Sequence, residues 1–286
     1  FCIEAALCSK AMDGKPVLLQ WTREDDLVNG YLNTTSVERI EAGLDENGKP
    51  VAWLHRSTAP SIFALFMPDP KHQATLELGL GLVDTPFDIP NLRIDTGEAP
   101  AHTRIGWFRS VTNVPHAFAL QSFVAELAAA AGRDHKDYLL DVIGPDRKLI
   151  PKTTEPWWNY GENPKVYAID TSRLKNVIEV VTKQAGWGRK MPQGSGLGLA
   201  AHRAFVSYAA AVVEVVIGEG GRIKIPRVDL AIDCGAHINP ERIRSQLEGA
   251  IIQGISVAMY SNITFKDGVV QQTNFDSYEL ARMDIA

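Results

Sequence analysis

The sequence predicts an α+β fold, mixed sheets with packed helices, and three observations carry that expectation. Two pairs of β-type runs flank Asn47-Gly48 and Asp267-Gly268, dipeptides suited to tight hairpin turns. Segments with apolar residues at helical spacing follow Asn113 and, behind N-cap residues, begin near Asp170 and Asn239. Strands and helices then follow one another without the strict alternation of a doubly wound sheet.

At 286 residues and 45% hydrophobic content the chain can bury a substantial core, as one large domain or two intertwined ones. A formal net charge of -5 runs against nucleic-acid binding, which asks for a basic patch. Cys2, Cys8 and Cys234 lack the spacing of a zinc or iron-sulfur site. Phe1 opens directly into an amphipathic run without an initiator Met, which predicts a piece of a longer protein.

In chain order, Ile3–Met12 reads as a short helix closed by Asp13-Gly14, and Pro16–Trp21 as a buried strand. Thr22 then caps a helix start, which accounts for Glu24, Asp25 and Asp26 better than a metal site does, because adjacent carboxylates do not by themselves converge on one ion. Ser36–Leu44 and Pro50–Ser57 form the first hairpin. From Ala59 to Ala101 the chain is rich in Pro and Gly, with two short pieces around Leu76 and Leu92 that suit strand or coil. Ile105–Asn113 is an aromatic run expected to be buried, and it leads into a helix with Leu120, Phe123, Val124, Leu127 and Ala131 inward. Arg109 ends that run, and two roles suit it equally, a structural ion pair or an anion clamp.

Gly144–Lys165 reads as an irregular connection packed by Trp157, Trp158 and Tyr160. Asp170 or Thr171 caps a helix with Leu174, Val177, Ile178 and Val181 inward, ending at Ala185-Gly186. Gln193–Gly198 resembles a phosphate loop only superficially, since β-type sequence follows it. Gly198–Ile217 and Arg222–Asp233 look like two long strands, with His202 a hydrogen-bonded residue rather than a metal ligand. Asn239 and Pro240 open a helix of about twenty residues. Ile243, Leu247, Ile251, Ile255 and Ala258 form its apolar face, and Gln246, Gly249, Gln253 and Ser256 a second stripe. With no charge after Glu248, the helix is expected to be buried on most sides. Its amides would bond either to neighbouring loops or to a group that both donates and accepts hydrogen bonds. A last hairpin, Ile263–Phe265 and Val269–Gln271, closes the pattern.

Five segments together resemble a known family: IGWFRSV (105–111), WWNYGE (157–162), GLGLAAHRAF (196–205), AIDCGAHINPERIRSQLEGAIIQGIS (231–256) and TFKDGVVQQTNFDSYELARMD (264–284). In this order they resemble the large subunit of bacterial molybdenum hydroxylases, in the isoquinoline 1-oxidoreductase and aldehyde dehydrogenase branch of the xanthine oxidase family. The resemblance implies a molybdopterin cofactor with molybdenum, in its cytosine dinucleotide form. It also implies oxidation of an aldehyde or an aromatic N-heterocycle with water as oxygen source. Electrons would leave through [2Fe-2S] clusters on a small partner subunit, with a cytochrome c subunit as a further partner beside the remaining segments of the large subunit.

By the same resemblance, Phe108, Arg109, Ser110 and Val111 match an FRGF-like segment beside the cofactor, and Gln246 matches a glutamine near the molybdenum. Arg109 and Gln246 are thus the expected catalytic residues, and the four residues 108–111 with Gln246 the expected cofactor-binding set. Residues 1–143 and 194–286 would be two cofactor-binding portions joined by 144–193. Two departures stand out. Ser110 and Thr112-Asn113 replace a glycine-rich version, and the family's GGGFG segment and its Gly-Glu base motif are expected outside residues 1–286. Those residues alone are therefore expected to be inactive. The competing expectation is a non-catalytic portion that packs against partner chains without holding the metal.

Overall fold

The computed structural model describes residues 1–101, 103–153 and 156–283. The first elements are α1 (Cys2–Ala11), α2 (Arg23–Asn29), β1 (Val37–Leu44), β2 (Pro50–Thr58), α3 (Thr75–Leu78) and β3 (Asn91–Thr96). Next come α4 (Asn113–Ala130), α5 (His135–Ile143), β4 (Lys148–Leu149), β5 (Ile169–Asp170) and α6 (Thr171–Ala185). The chain finishes with β6 (Ser195–Ala204), β7 (Ser207–Ile217), β8 (Ile223–Asp233), α7 (Pro240–Met259), β9 (Phe265–Lys266) and β10 (Val269–Val270). The α+β class is as the sequence predicts, and the elements divide into two compact units.

The larger unit, 32–249, holds two three-stranded sheets. In one, β1 and β2 form the expected antiparallel hairpin around Asn47-Gly48, and β3 joins β2 in parallel. In the other, β6, β7 and β8 are antiparallel throughout. One continuous core joins Trp53 and Phe87 to Leu120, Val124 and Leu127 of α4, Tyr138, Leu139 and Val142 of α5, and Leu174, Val177, Ile178 and Val181 of α6. Leu199, Tyr208 and Val212 of the second sheet complete it. The inward positions of α4 and α6 recur at helical spacing because only one stripe of each meets apolar neighbours.

Helix α6 is fixed at both ends as its sequence demands. The Asp170 carboxylate accepts from the Ser172 N–H at 3.0 Å, and Gly186 closes the helix in the left-handed region at φ 68°. On its first turn Arg173 donates twice to Asp233, at 2.7 Å each, which ties the helix to the end of β8 and holds the Asp233 carboxyl down at about 2.

The smaller unit comprises 1–31 and 250–282. Thr22 caps α2 through a reciprocal capping box with Asp25, which explains the acidic run as a helix start. Ser256, the one buried residue of α7, accepts from the Ala281 N–H at 2.9 Å, and β9 and β10 form the last hairpin around Asp267-Gly268.

Four expectations need correction. Pro16–Trp21 is not a strand: it has no regular structure, with Leu18 92% exposed and only Val17, Leu19 and Trp21 half-buried. Its apolar run alone could not reveal that no partner strand lies alongside. The piece around Leu76 is a helical turn, whereas that around Leu92 is strand β3. Gly198–Ile217 is a hairpin, β6 and β7, rather than one strand. Its turn residues Phe205 and Val206 adopt φ 47° and 55° without the Asn or Gly that normally marks such a turn.

Helix α7, finally, is not buried on most sides. Ile243, Leu247, Ile251 and Ile255 form one half-buried stripe, while Gln246, Gly249, Gln253 and Ala258 are exposed.

Core burial sets the expected energetics. Ile178→Ala, at a fully buried position of α6, lowers unfolding free energy by about 2–5 kcal/mol, whereas Val180→Ala on the same helix's outer face changes it by about 0.5 kcal/mol or less. Urea unfolding of both variants checks the contrast, and equal effects would contradict the placement of the core.

Candidate functional site

The loop before α4 makes a tight turn. The Val111 N–H donates to the Phe108 carbonyl at 2.9 Å, and Ser110 and Val111 take φ 69° and 49°. That region costs an L-residue about 1–2 kcal/mol, most for a β-branched one, so the surroundings must hold it. Val111 does so by burying its side chain with Ile62 and Leu80. The glycine that the resemblance leads one to expect at position 110 would adopt this conformation freely.

The turn presents Arg109 to the surface, where its Nη2 donates to Gln246 Oε1 at 2.5 Å across 137 positions of sequence. Both side chains are exposed, so further guanidinium N–H groups and the Gln246 amide N–H groups remain available as donors. Trp107 and Phe108 flank them at 43% and 47% exposure, correcting the expectation that this aromatic run is buried. Trp107 meets Phe63 edge-on at 6.0 Å, forming an apolar rim beside the donors.

Beneath the turn lies a buried polar network. Asn113 Oδ1 lies 3.1 Å from the Tyr160 hydroxyl and 2.9 Å from His202 Nε2. The Tyr160 hydroxyl also lies 3.2 Å from Asp84 Oδ2, and Asp84 pairs with the Arg203 guanidinium at 3.6 Å. Arg203 in turn donates to Asn159 Oδ1 at 2.6 Å. On the other side His116 meets the Leu80 carbonyl at 2.9 Å, and Ser57 donates to Glu38, which also accepts from His55 at 2.7 Å. Glu77, wholly buried, accepts from the Ser61 hydroxyl and the Ile62 and Ala74 N–H groups at 2.6, 2.9 and 2.7 Å, clasping the loop that carries Phe63.

Burial dominates the electrostatics of this network. It raises the Asp84 carboxyl to about 6 against the pull of Arg203, and it pushes the Tyr160 hydroxyl up, aided by the Asp84 charge. Burial likewise lowers His202 to about 4, helped by the nearby His116 and Arg203, and lowers His116. The space at Asp84, His202 and Arg203 amounts to only about 10 Å³, too little for a ligand, so the network is scaffold.

The structure therefore brings Arg109 and Gln246 together and sets Phe108, Ser110 and Val111 in one turn. His202 is hydrogen-bonded, as its sequence context predicts. Sequence reasoning missed Asp84, Asn113, Tyr160 and Arg203. A signal existed for two of them, since Asp84 and Arg203 are charged residues inside otherwise apolar runs.

Comparison with known proteins gives this arrangement a family. A profile described as a molybdopterin cofactor-binding domain matches residues 2–138, and a second of the same description matches 167–285. The chain belongs to this molybdopterin cofactor-binding family and corresponds to part of a xanthine oxidase-family large subunit. A nicotinate dehydrogenase subunit of Pseudomonas putida is 27% identical over 98% of this chain and 23% of its own length. The beta subunit of isoquinoline 1-oxidoreductase of Brevundimonas diminuta is 27% identical, covering 98% of this chain and 34% of its own. A membrane-bound aldehyde dehydrogenase (pyrroloquinoline-quinone) of Gluconacetobacter polyoxogenes is 25% identical over 99% and 37%. The chain thus spans between 23% and 37% of these relatives' lengths. In fold it matches quinoline 2-oxidoreductase from Pseudomonas putida 86 with a TM-score of 0.76 at 10% identity, over 99% of this chain and 58% of that one.

The donor set fits such a cofactor. A pterin and its phosphate are rich in hydrogen-bond acceptors, and the exposed N–H groups of Arg109 and Gln246 beside an apolar rim supply complementary donors and positive charge.

The depressed His202 pKa has a measurable consequence. A histidine held neutral contributes stability that is complete above its unfolded value of 6.5 and is lost as pH falls toward about 4. The raised Asp84 acts oppositely over the same acid range, so a variant is needed to isolate the histidine. In His202→Gln, the stability difference from wild type is flat above neutrality. It narrows by on the order of 2–3 kcal/mol between pH 6.5 and 4 in urea titrations, after a discount for the ring's residual exposure. A difference that stays constant across that window would show that His202 does not titrate there.

Proposed function

We propose that this chain forms part of the cofactor centre of a molybdenum hydroxylase large subunit acting on an aldehyde or an aromatic N-heterocycle. The observation that carries the reading is the Arg109–Gln246 hydrogen bond, which joins the two matched motifs on one surface. The bound molybdopterin, in its cytosine dinucleotide form, would supply the two-electron redox chemistry. In balance, substrate R–H and water give R–OH, two protons and two electrons, and the electrons pass to [2Fe-2S] clusters on a small subunit, with a cytochrome c subunit as a further acceptor.

Within this reading Arg109 offsets anionic charge on the cofactor, and Gln246 orients it through an amide that adds no charge. Phe108 lines the approach, while Ser110 and Val111 shape the turn that presents Arg109. Residues 1–143 and 194–286 act as two cofactor-binding portions joined by 144–193; the two separate family matches, over 2–138 and 167–285, favour two portions, the second match beginning within the joining segment. A second reading, a non-catalytic portion that packs against partner chains, is favoured by the exposed apolar residues Ile252 and Val257 on α7.

Metal and pterin analysis of the assembled protein separates the two: near-stoichiometric molybdenum and pterin are expected, and their absence from intact material would overturn the hydroxylase reading. Gln246→Leu keeps the helix's apolar stripe and should lower kcat by about a hundredfold with thermal stability unchanged. Arg109→Lys retains charge but not the planar fork, and should also slow turnover. Wild-type kinetics in both variants would remove the pair from the site.

A further inference from the structure

Among the described residues, nine non-glycine positions have positive φ, and six of them form three consecutive pairs. These are Ser110–Val111 at 69° and 49°, Asn159–Tyr160 at 46° and 59°, and Phe205–Val206 at 47° and 55°. Valine, tyrosine and phenylalanine are poorly suited to this region, so each pair is held there by its surroundings.

The pairs converge on one side chain. The Tyr160 ring packs against the Ile62, Leu80 and Val111 cluster and stands 4.7 Å from the Phe205 ring. Its hydroxyl bridges Asp84 Oδ2 and Asn113 Oδ1 at 3.2 and 3.1 Å. Asn113 closes the circuit, because its N–H donates to the Ser110 carbonyl at 3.0 Å. Tyr160 therefore holds the strained segment at two points: through the cluster that contains Val111, and through Asn113 at the Ser110 carbonyl. Arg109 is the residue immediately before that segment.

We propose that Tyr160 is a positioning residue, fixing the Phe108–Val111 turn so that Arg109 meets Gln246. This rests on the functional reading of Arg109 given above, and it adds a residue that makes no contact with the presented surface pair. The hydroxyl is suited to the task. Burial keeps it protonated, so it serves as a constant hydrogen-bond donor beneath the turn while the ring supports the same turn by packing. An ordinary core tyrosine would contribute stability alone, and the two roles differ in what Tyr160→Phe does.

The test compares Tyr160→Phe, Arg109→Lys and the double variant in the assembled holoenzyme, with Tyr138→Phe as control. Tyr138 also buries a bonded hydroxyl, donating to the Gly48 carbonyl at 2.7 Å, but lies on α5. Tyr160→Phe is expected to lower kcat about tenfold with KM within about twofold, and to have no further effect once Arg109 is already lysine. Amide hydrogen exchange over Phe108 to Asn113 should accelerate in Tyr160→Phe and remain as in wild type in Tyr138→Phe. Additive kinetic effects, unchanged exchange over the turn, or an equal loss in Tyr138→Phe would each overturn the proposal. If Arg109→Lys alone has wild-type kinetics, the functional reading fails instead. The exchange comparison then decides by itself whether Tyr160 holds the turn.

Discussion

The larger unit depends on satisfying the polar side chains that α4 and the Thr112 before it carry into the core. Thr112, Asn113, His116 and Gln121 are all nearly or fully buried, and an unpaired polar group there would cost as much as a good apolar contact gains. Each is met by a different part of the chain, and among these four only the Asn113 Nδ2 is left buried without a partner. Thr112 donates to the Glu77 carbonyl, Asn113 meets Tyr160 and His202, His116 meets the Leu80 carbonyl, and Gln121 accepts from the Ala201 N–H. Loops from 61 to 84 and from 157 to 162 have little regular structure of their own. Their positions are set by the partners this helix demands.

That dependence explains the division of labour around the site. The helix and its partners form a packed floor with only about 10 Å³ of free space at Asp84, His202 and Arg203, while the turn ahead of α4 rises from it and exposes a guanidinium. Among the described residues, consecutive non-glycine positions of positive φ occur only at that turn, at Asn159–Tyr160 and at Phe205–Val206. The surrounding scaffold tolerates them because packing and hydrogen bonds fix those residues from several sides.

Much of the fold was legible in the sequence, where local chemistry determines local shape. Asp170 and Gly186 bracket α6, Thr22 and Asp25 bracket the start of α2, and Asn47-Gly48 marks the first hairpin. The illegible parts share one cause: their conformation depends on residues distant in sequence. Phe205-Val206 bears no turn signature and is held by Tyr160. The β2–β3 pairing is parallel, spans an irregular stretch of chain and leaves no pattern around Leu92. Exposure along α7 could not be judged from its composition, since an uncharged helix surface looks alike whether core or open. For the site, Arg109 and Gln246 stood out through matched motifs. Asn113 and Tyr160 did not, because a polar residue at the foot of a helix has many ordinary uses.

The separation of Arg109 and Gln246 along the chain bears on the order of assembly. The sheet β6–β7–β8 and helix α6 come from one contiguous stretch and can form through short-range contacts, whereas the surface pair closes a loop of 137 residues. The closing entropy of so long a loop is recovered only after the intervening core has condensed. By that entropy argument the guanidinium and amide come into register after the short-range contacts of the core have formed, so the exposed pair rests on a scaffold built beneath it.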